Sequence, residues 1–134
     1  MICTRCELVA ALAIWALGAP AAMALDDARL NRQLLRLDLE TRLEQTCDME
    51  IMQRINREHK KFNVDKVIAY TFKNPISAKN AITAPGAVLR SRGDWYRLQF
   101  KCVTGPRHLN AHSMQYRIGS KIPRSRWHEY DLYD

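Results

Sequence analysis

Trp95-Tyr96-Arg97-Leu98-Gln99-Phe100-Lys101-Cys102 alternates without a fault. Successive side chains of an extended strand point to opposite faces. Tyr96, Leu98, Phe100 and Cys102 therefore share one face, and Trp95, Arg97, Gln99 and Lys101 the other. The apolar face closes on a cysteine. Beyond the first six residues the sequence has one other, Cys47, and it lies in a stretch of helical periodicity. The reading is a strand stapled to a helix.

The helix begins at Asp38, a good N-cap, with Glu40 in the first turn where the helix dipole favours a carboxylate. Leu39, Leu43, Cys47, Ile51 and Ile55 then recur every four residues, with Met52 beside them, as far as about His59. That is an apolar stripe carrying Cys47. A strict spacing of four drifts around a helix, so a bend near Thr46 to Asp48 would serve the stripe better, and Asp48 could cap a second half. Upstream, the stretch from Leu25 carries Leu30, Leu34, Leu35 and Leu37 at helical spacing, which predicts an N-terminal arm or short helix over 25–37.

Downstream, Lys60 to Asn63 ends the helix, and β-branched and aromatic residues from Val67 to Phe72 predict a first strand. Asn74-Pro75 breaks it. Ser77 to Pro85 reads as a connection in which Ala81 to Thr83 could pair as an extra strand, and Pro85-Gly86 as a turn. A strand over Ala87 to Arg92 follows, then a hairpin turn at Gly93-Asp94. The strand from Trp95 continues to Thr104, and another runs through His108 to Ile118, with His112, Met114, Tyr116 and Ile118 on one face. Pro123 suits a helix start, so a short C-terminal helical turn is expected with Trp127 packed on the body. The fold class is α+β: an N-terminal helix, straight or bent, packed on an antiparallel four-stranded meander, with one helix-to-strand disulfide in a single domain over 38–134.

The first 24 residues stand apart. Leu8 to Leu17 is an uninterrupted apolar run behind Arg5, and Ala22-Met23-Ala24 offers small residues where a signal peptidase reads. This is the layout of a cleaved secretory signal peptide over 1–24; the rival is a retained membrane anchor, for which Leu8 to Ala24 is at the short limit and carries Gly18 and Pro20. Cys3 and Cys6 would leave with it. In an exported chain the remaining pair reads as a disulfide, and closing a 55-residue span is worth roughly 4 kcal/mol in the chain-entropy model. Lys and Arg number 21 against 14 Asp and Glu, a net charge of +7. A surface of that sign attracts anions, such as lipid headgroups or the phosphates and carboxylates of an envelope polymer, and export makes nucleic acid the least fitting partner.

Three segments together resemble a known family. They are Glu40-Thr41-Arg42-Leu43-Glu44-Gln45-Thr46-Cys47-Asp48; Ala84-Pro85-Gly86-Ala87 leading into Ser91-Arg92-Gly93-Asp94-Trp95-Tyr96-Arg97-Leu98 with Cys102 behind; and Tyr116-Arg117-Ile118-Gly119 followed by Ile122-Pro123-Arg124-Ser125-Arg126-Trp127. The chain resembles the uncharacterised exported bacterial proteins grouped as domain of unknown function 930, over about Leu37 to Leu132. The resemblance implies a two-cysteine domain with a Gram-negative envelope address. It brings no assigned activity, so it carries over no functional residue.

Constellations that carry chemistry are sparse. His108 and His112 are too far apart along a strand, about 13 Å, to share one ion, and neither a metal nor a cofactor is expected. There is no nucleophile elbow, no glycine-rich phosphate loop and no free thiol beside a base. Acidic residues between Asp38 and Glu58 are interleaved with Arg42, Arg54 and Arg57, as on a solvated helix face. Arg92-Gly93-Asp94 matches an integrin-binding tripeptide, but a hairpin needs Gly93-Asp94 for its own turn. The candidate site is a basic face: Arg90, Arg92, Arg97 and Lys101 with Trp95 alongside, extended by Lys121, Arg124 and Arg126 next to Trp127. The expectation is a non-catalytic periplasmic or secreted binding module for an anionic envelope component or an acidic partner protein. A small envelope enzyme, a periplasmic hydrolase inhibitor and a structural component of an envelope complex are the alternatives.

Overall fold

The apolar stripe of the long helix decides where the sheet must lie. In the computed structural model, which describes residues 21–134, helix α2 runs from Leu39 to Glu58. Asp38 caps it as expected, its carboxylate accepting from the Thr41 amide at 3.0 Å. The helix is uninterrupted across Thr46 to Asp48, so Asp48 caps nothing. The drift of the four-residue spacing is resolved differently. Leu39 falls off the stripe and is exposed, while Thr46 turns inward to join buried Leu43, Cys47, Ile51 and Ile55. Its hydroxyl stays paired there, donating to the His108 carbonyl at 2.6 Å.

Five antiparallel strands form one sheet: β1 (Val64–Lys73), β2 (Ile76–Ala78), β3 (Ala81–Ser91), β4 (Asp94–Thr104) and β5 (Ala111–Lys121). The spatial order is β1-β3-β4-β5, with β2 pairing the start of β3 on the same side as β1. The four-stranded meander is as expected. The additional strand is Ile76–Ala78, and Ala81 to Thr83 belongs to β3 itself.

Pro85-Gly86 is a bulge within β3, not a turn. The ladder to β4 steps from Ala84↔Phe100 to Ala87↔Leu98. The inserted residue reverses the alternation, so Ile82 and Ala84 before it and Ala87 and Leu89 after it all face α2. Gly86 is needed because a Cβ there would lie 2.2 Å from the Lys73 amide nitrogen. The hairpin turn lies one residue earlier than expected. Ser91 pairs with Asp94, and Arg92 (φ 51°) and Gly93 (φ 78°) make the two-residue loop whose positive φ angles match the strand twist.

The inner face of the sheet and α2 enclose the main core, in which Cys47 and Cys102, both fully buried, are joined by the expected disulfide. Helix α1 (Ala21–Leu34) is attached through buried Leu34 and through Arg42. The Arg42 guanidinium donates to the carbonyls of Leu34 (3.0 Å), Leu35 (3.3 Å), Leu37 (2.8 Å) and Arg107 (3.1 Å). One side chain thus serves the carbonyls that a helix C-terminus leaves unpaired. The arm over 25–37 is therefore helical as far as Leu34 and tied down. The proposed signal peptide falls largely on residues outside those described. Among the described residues no helix is long and apolar enough to cross a membrane.

The outer face has its own smaller core. A 3₁₀ helix (Arg124–Tyr130) and the last residues fold across it, burying Val88, Trp95, Ile122, Trp127 and Leu132 together. The C-terminal helical turn was expected; a second apolar layer was not.

Candidate anion-binding face

The outer sheet face carries the basic residues, and its two halves differ. Over the half beneath the 3₁₀ helix, Trp95 is fully buried, its indole N–H donating to the Tyr133 carbonyl at 2.7 Å. Trp127 is 6% exposed and donates to the Ile122 carbonyl at 3.0 Å. Neither ring is free to edge a ligand site. The alternation of β4 placed Trp95 opposite the main core, which is right, but that side is covered too.

Most of the proposed cations in this half are occupied. Arg90 makes a two-point pair with Asp65, 3.0 Å on each arm, which holds the Asp65 carboxyl below its usual range. Its guanidinium also lies 5.7 Å from the Trp95 and Tyr133 ring centres. Arg92 sits in the turn and donates to the Lys61 carbonyl at 3.3 Å. Lys121 pairs with Asp94 at 2.8 Å, Arg124 with Asp134 at 3.0 Å, and Arg126 with Glu129 at 3.1 Å. Arg124 and Arg126 further cover the Trp127 and Tyr130 rings at 4.6 and 5.3 Å. Exposed pairs of this kind stabilise little, yet each neutralises its cation.

The uncovered half is different. Arg97, Gln99 and Lys101 on β4 and Gln115 and Arg117 on β5 are all exposed and share the outer face, since Gln99 pairs with Arg117 and Lys101 with Gln115. Arg97, Lys101 and Arg117 have no carboxylate within pairing distance among the described residues. Arg97 is fixed all the same, its guanidinium stacked 3.8 Å over the Phe72 ring. Phe72 in turn packs on Tyr130 at 4.5 Å. A groove of about 160 Å³ between Phe72, Pro85, Arg97 and Arg117 opens through Pro85, Gln99 and Arg117 onto a shallower hollow of about 320 Å³ reaching Thr83, Lys101 and Gln115. Like charges gathered on one sheet face repel, and donors without acceptors at such a spot suit an anion. Of the expected residues, Arg97 lines the groove and Lys101 the adjoining hollow. Arg117 was missed, although its parity with Gln115 on β5 would have found it.

Other titratable groups have structural partners. His108, which begins no strand, sits in the β4–β5 loop at φ 55° and is buried. Its ring nitrogens lie 2.8 Å from the Leu39 carbonyl and 2.9 Å from that of Lys79, joining the loop to α2 and to the β2–β3 turn. His112 is exposed on β5, so the two histidines do not converge. The Tyr116 hydroxyl donates to Glu58 and lies 2.9 Å from the His59 ring. Burial and then Glu58 push the phenol up to about 12, so it stays a proton donor. No group of metal-ligating residues occurs among the described residues.

A sheet with one long helix stapled by a disulfide to its inner face, and a 3₁₀ helix over half its outer face, defines an α+β domain of the helix-on-meander class. The chain belongs to the family described as Domain of Unknown Function (DUF930), whose model matches residues 34–132. No curated protein and no solved structure matches it.

Proposed function

We propose that the chain is an exported, non-catalytic binding module whose open sheet face takes a phosphate- or carboxylate-bearing component of the cell envelope. The observation that carries this reading is the contrast within one face: cations beneath the 3₁₀ helix are paired internally, and Arg97, Lys101 and Arg117 are not. The stack on Phe72 supports it further, because a guanidinium held in place loses less side-chain entropy on binding. Export rests on the apolar run and the small residues at Ala22 and Ala24.

Co-sedimentation with phosphatidylglycerol and phosphatidylcholine vesicles tests it. Binding to the anionic vesicles is expected at about 0.1 M salt and lost at about 1 M, as the screening length falls from about 10 Å to about 3 Å. Arg97→Glu with Arg117→Glu should abolish binding, while the charge-matched Arg124→Glu with Arg126→Glu should retain most of it. Equal loss in both double variants would reduce the effect to net charge and sink the site. Capture by an acidic protein with no affinity for vesicles or soluble anionic polymer would move the reading to a protein partner.

A further inference from the structure

Strand β1 is an edge strand, and its free edge is the floor of a cavity of about 780 Å³. One wall is α2, through Glu44, Gln45 and Asp48. The other is the C-terminal segment, through Glu129, Tyr130, Asp131 and Tyr133. At the start of the strand the edge is closed. The Asn56 side chain acts as a substitute neighbour for Val64, donating to its carbonyl at 3.0 Å and accepting from its amide at 2.6 Å. Nothing comparable continues along the strand. Val67 shares with Val64 the side-chain direction toward the main core, and in an extended chain that parity turns its peptide N–H and C=O to the same outer side. Beyond Ile68↔Val88 the ladder to β3 resumes only at Lys73↔Gly86. Residues 69–72 therefore stand against Ala87 alone and add peptide groups released from the ladder. No side chain or turn among the described residues bonds the backbone of Val67 to Thr71 from outside the sheet.

Natural sheets protect such edges with proline, inward charges or a covering segment. Here the charges and proline, Lys66, Lys73 and Pro75, only flank Val67 to Thr71, the ladder irregularity over residues 69–72 is the one such device within it, and apolar side chains cluster around it. Of the five exposed large hydrophobic residues among those described, Tyr70, Ile76 and Tyr133 lie along this edge. The charge around the cavity opposes that of the whole molecule. Four carboxylates line it, Glu44, Asp48, Glu129 and Asp131, against one ammonium, Lys66, which is held at the Tyr133 hydroxyl. Glu129 is paired with Arg126. Asp48 has no cation or hydrogen-bond donor among the described residues, and burial, then Glu44, push its carboxyl up to about 7.

We propose that this edge takes an extended, lysine- or arginine-containing polypeptide by strand addition, its backbone pairing with Val67 to Thr71 and its cationic side chains meeting Glu44, Asp48 and Asp131. Unpaired strand backbone supplies the affinity in this mode and the flanking side chains the selectivity. The cavity is of the size that binding clefts have, roughly 300–1,000 Å³. The site is separate from the basic face and does not depend on it.

The test uses the intact protein with a labelled, end-capped peptide of five Lys-Thr repeats. It is paired with the same peptide N-methylated at alternate backbone amides, and with a Glu-Thr counterpart. The Lys-Thr peptide is expected to bind, the N-methylated one at least tenfold more weakly, and the Glu-Thr one not at all. Hydrogen exchange should slow at the Val67 to Thr71 amides when peptide is added. Glu44→Gln with Asp48→Asn should weaken binding at least tenfold, and Arg97→Glu with Arg117→Glu should not weaken it, which separates this site from the anionic one. Equal binding of the N-methylated peptide, unchanged exchange at Val67 to Thr71, or full affinity in the Glu44/Asp48 variant would each overturn the proposal. So would concentration-dependent dimerisation that protects the same amides without peptide, since the edge would then belong to a second copy.

Discussion

Asp48 is the group whose environment is most at odds with its chemistry, and replacing it by asparagine should reveal that through pH. The carboxyl stands on α2 beside the main core, half-buried, with Glu44 one turn away and no compensating cation among the described residues. Desolvation and then Glu44 raise it from 3.8 to about 7. A carboxyl raised in the folded state favours folding fully at pH below its unfolded value, and this contribution is lost as pH rises through the folded one. Wild-type stability should thus fall between about pH 4 and pH 7 on account of Asp48, and no further above that. About three units at 1.36 kcal/mol each give a ceiling of about 4 kcal/mol. Solvent reaches part of the side chain and the effective dielectric is high, so about 1–2 kcal/mol is the expected size. Asp48→Asn keeps the shape and removes the charge. It should match wild type near pH 4 and exceed it by that amount at pH 8, or by roughly 4–10 °C in melting temperature. Urea denaturation of both proteins from pH 4 to 8, disulfide intact, reads the difference directly, because other titrating groups cancel between them. Parallel stability curves would refute the reasoning, and so would a variant weaker than wild type at pH 8.

Four further outcomes follow from the packing. Reducing Cys47–Cys102, or replacing both by alanine, should cost about 4 kcal/mol from the 55-residue separation, measured by urea midpoint with and without reductant. Arg42→Ala leaves four carbonyls without their donor, so exchange at the α1 amides should rise sharply while the sheet amides stay protected; global unfolding instead would contradict a local role. His108→Ala removes the bridge between Leu39 and Lys79 and should lower stability by about 2 kcal/mol in a thermal melt. Gly86→Val drives a side chain into the Lys73 backbone and should disrupt the β1–β3 pairing, visible as lost protection in β1 with α2 retained.

What the sequence disclosed, and what it withheld, follows one physical line. Asp38, the helical stripe and the alternation from Trp95 to Cys102 are local signals repeated over enough residues to fix element type, and the two cysteines fixed how helix and sheet face each other. Failures came where an element changed parity or served two layers. The β3 bulge contains the Pro-Gly pair that elsewhere makes a turn, and only the Cβ-free approach of Gly86 to Lys73 separates the two. Trp95 was legible as lying opposite the core, but the small apolar set that covers it, Ile122, Trp127 and Leu132, is scattered through a basic tail with no periodic pattern.

The candidate site was legible only as a sign of charge. Arg90, Arg97, Arg124 and Arg126 look equivalent in the sequence. What distinguishes them is whether the fold delivers a carboxylate, and those partners lie 25 residues away for Arg90, 10 for Arg124 and three for Arg126. No local rule supplies the first two, so counting arginines overstated the patch and misplaced its centre. The same delivery acts at the β1 edge: the acidic residues on α2 read as a solvated, ion-paired face, and Glu50 does pair with Arg54 there. The fold brings Glu44 and Asp48 against an open strand with Asp131 across from them. In a chain of net charge +7, Arg97, Lys101 and Arg117 thus stand without a paired carboxylate on one sheet face, and Glu44, Asp48 and Asp131 gather at one edge. Under the two proposals a ligand of each sign has its own contacts, and neither competes with the other.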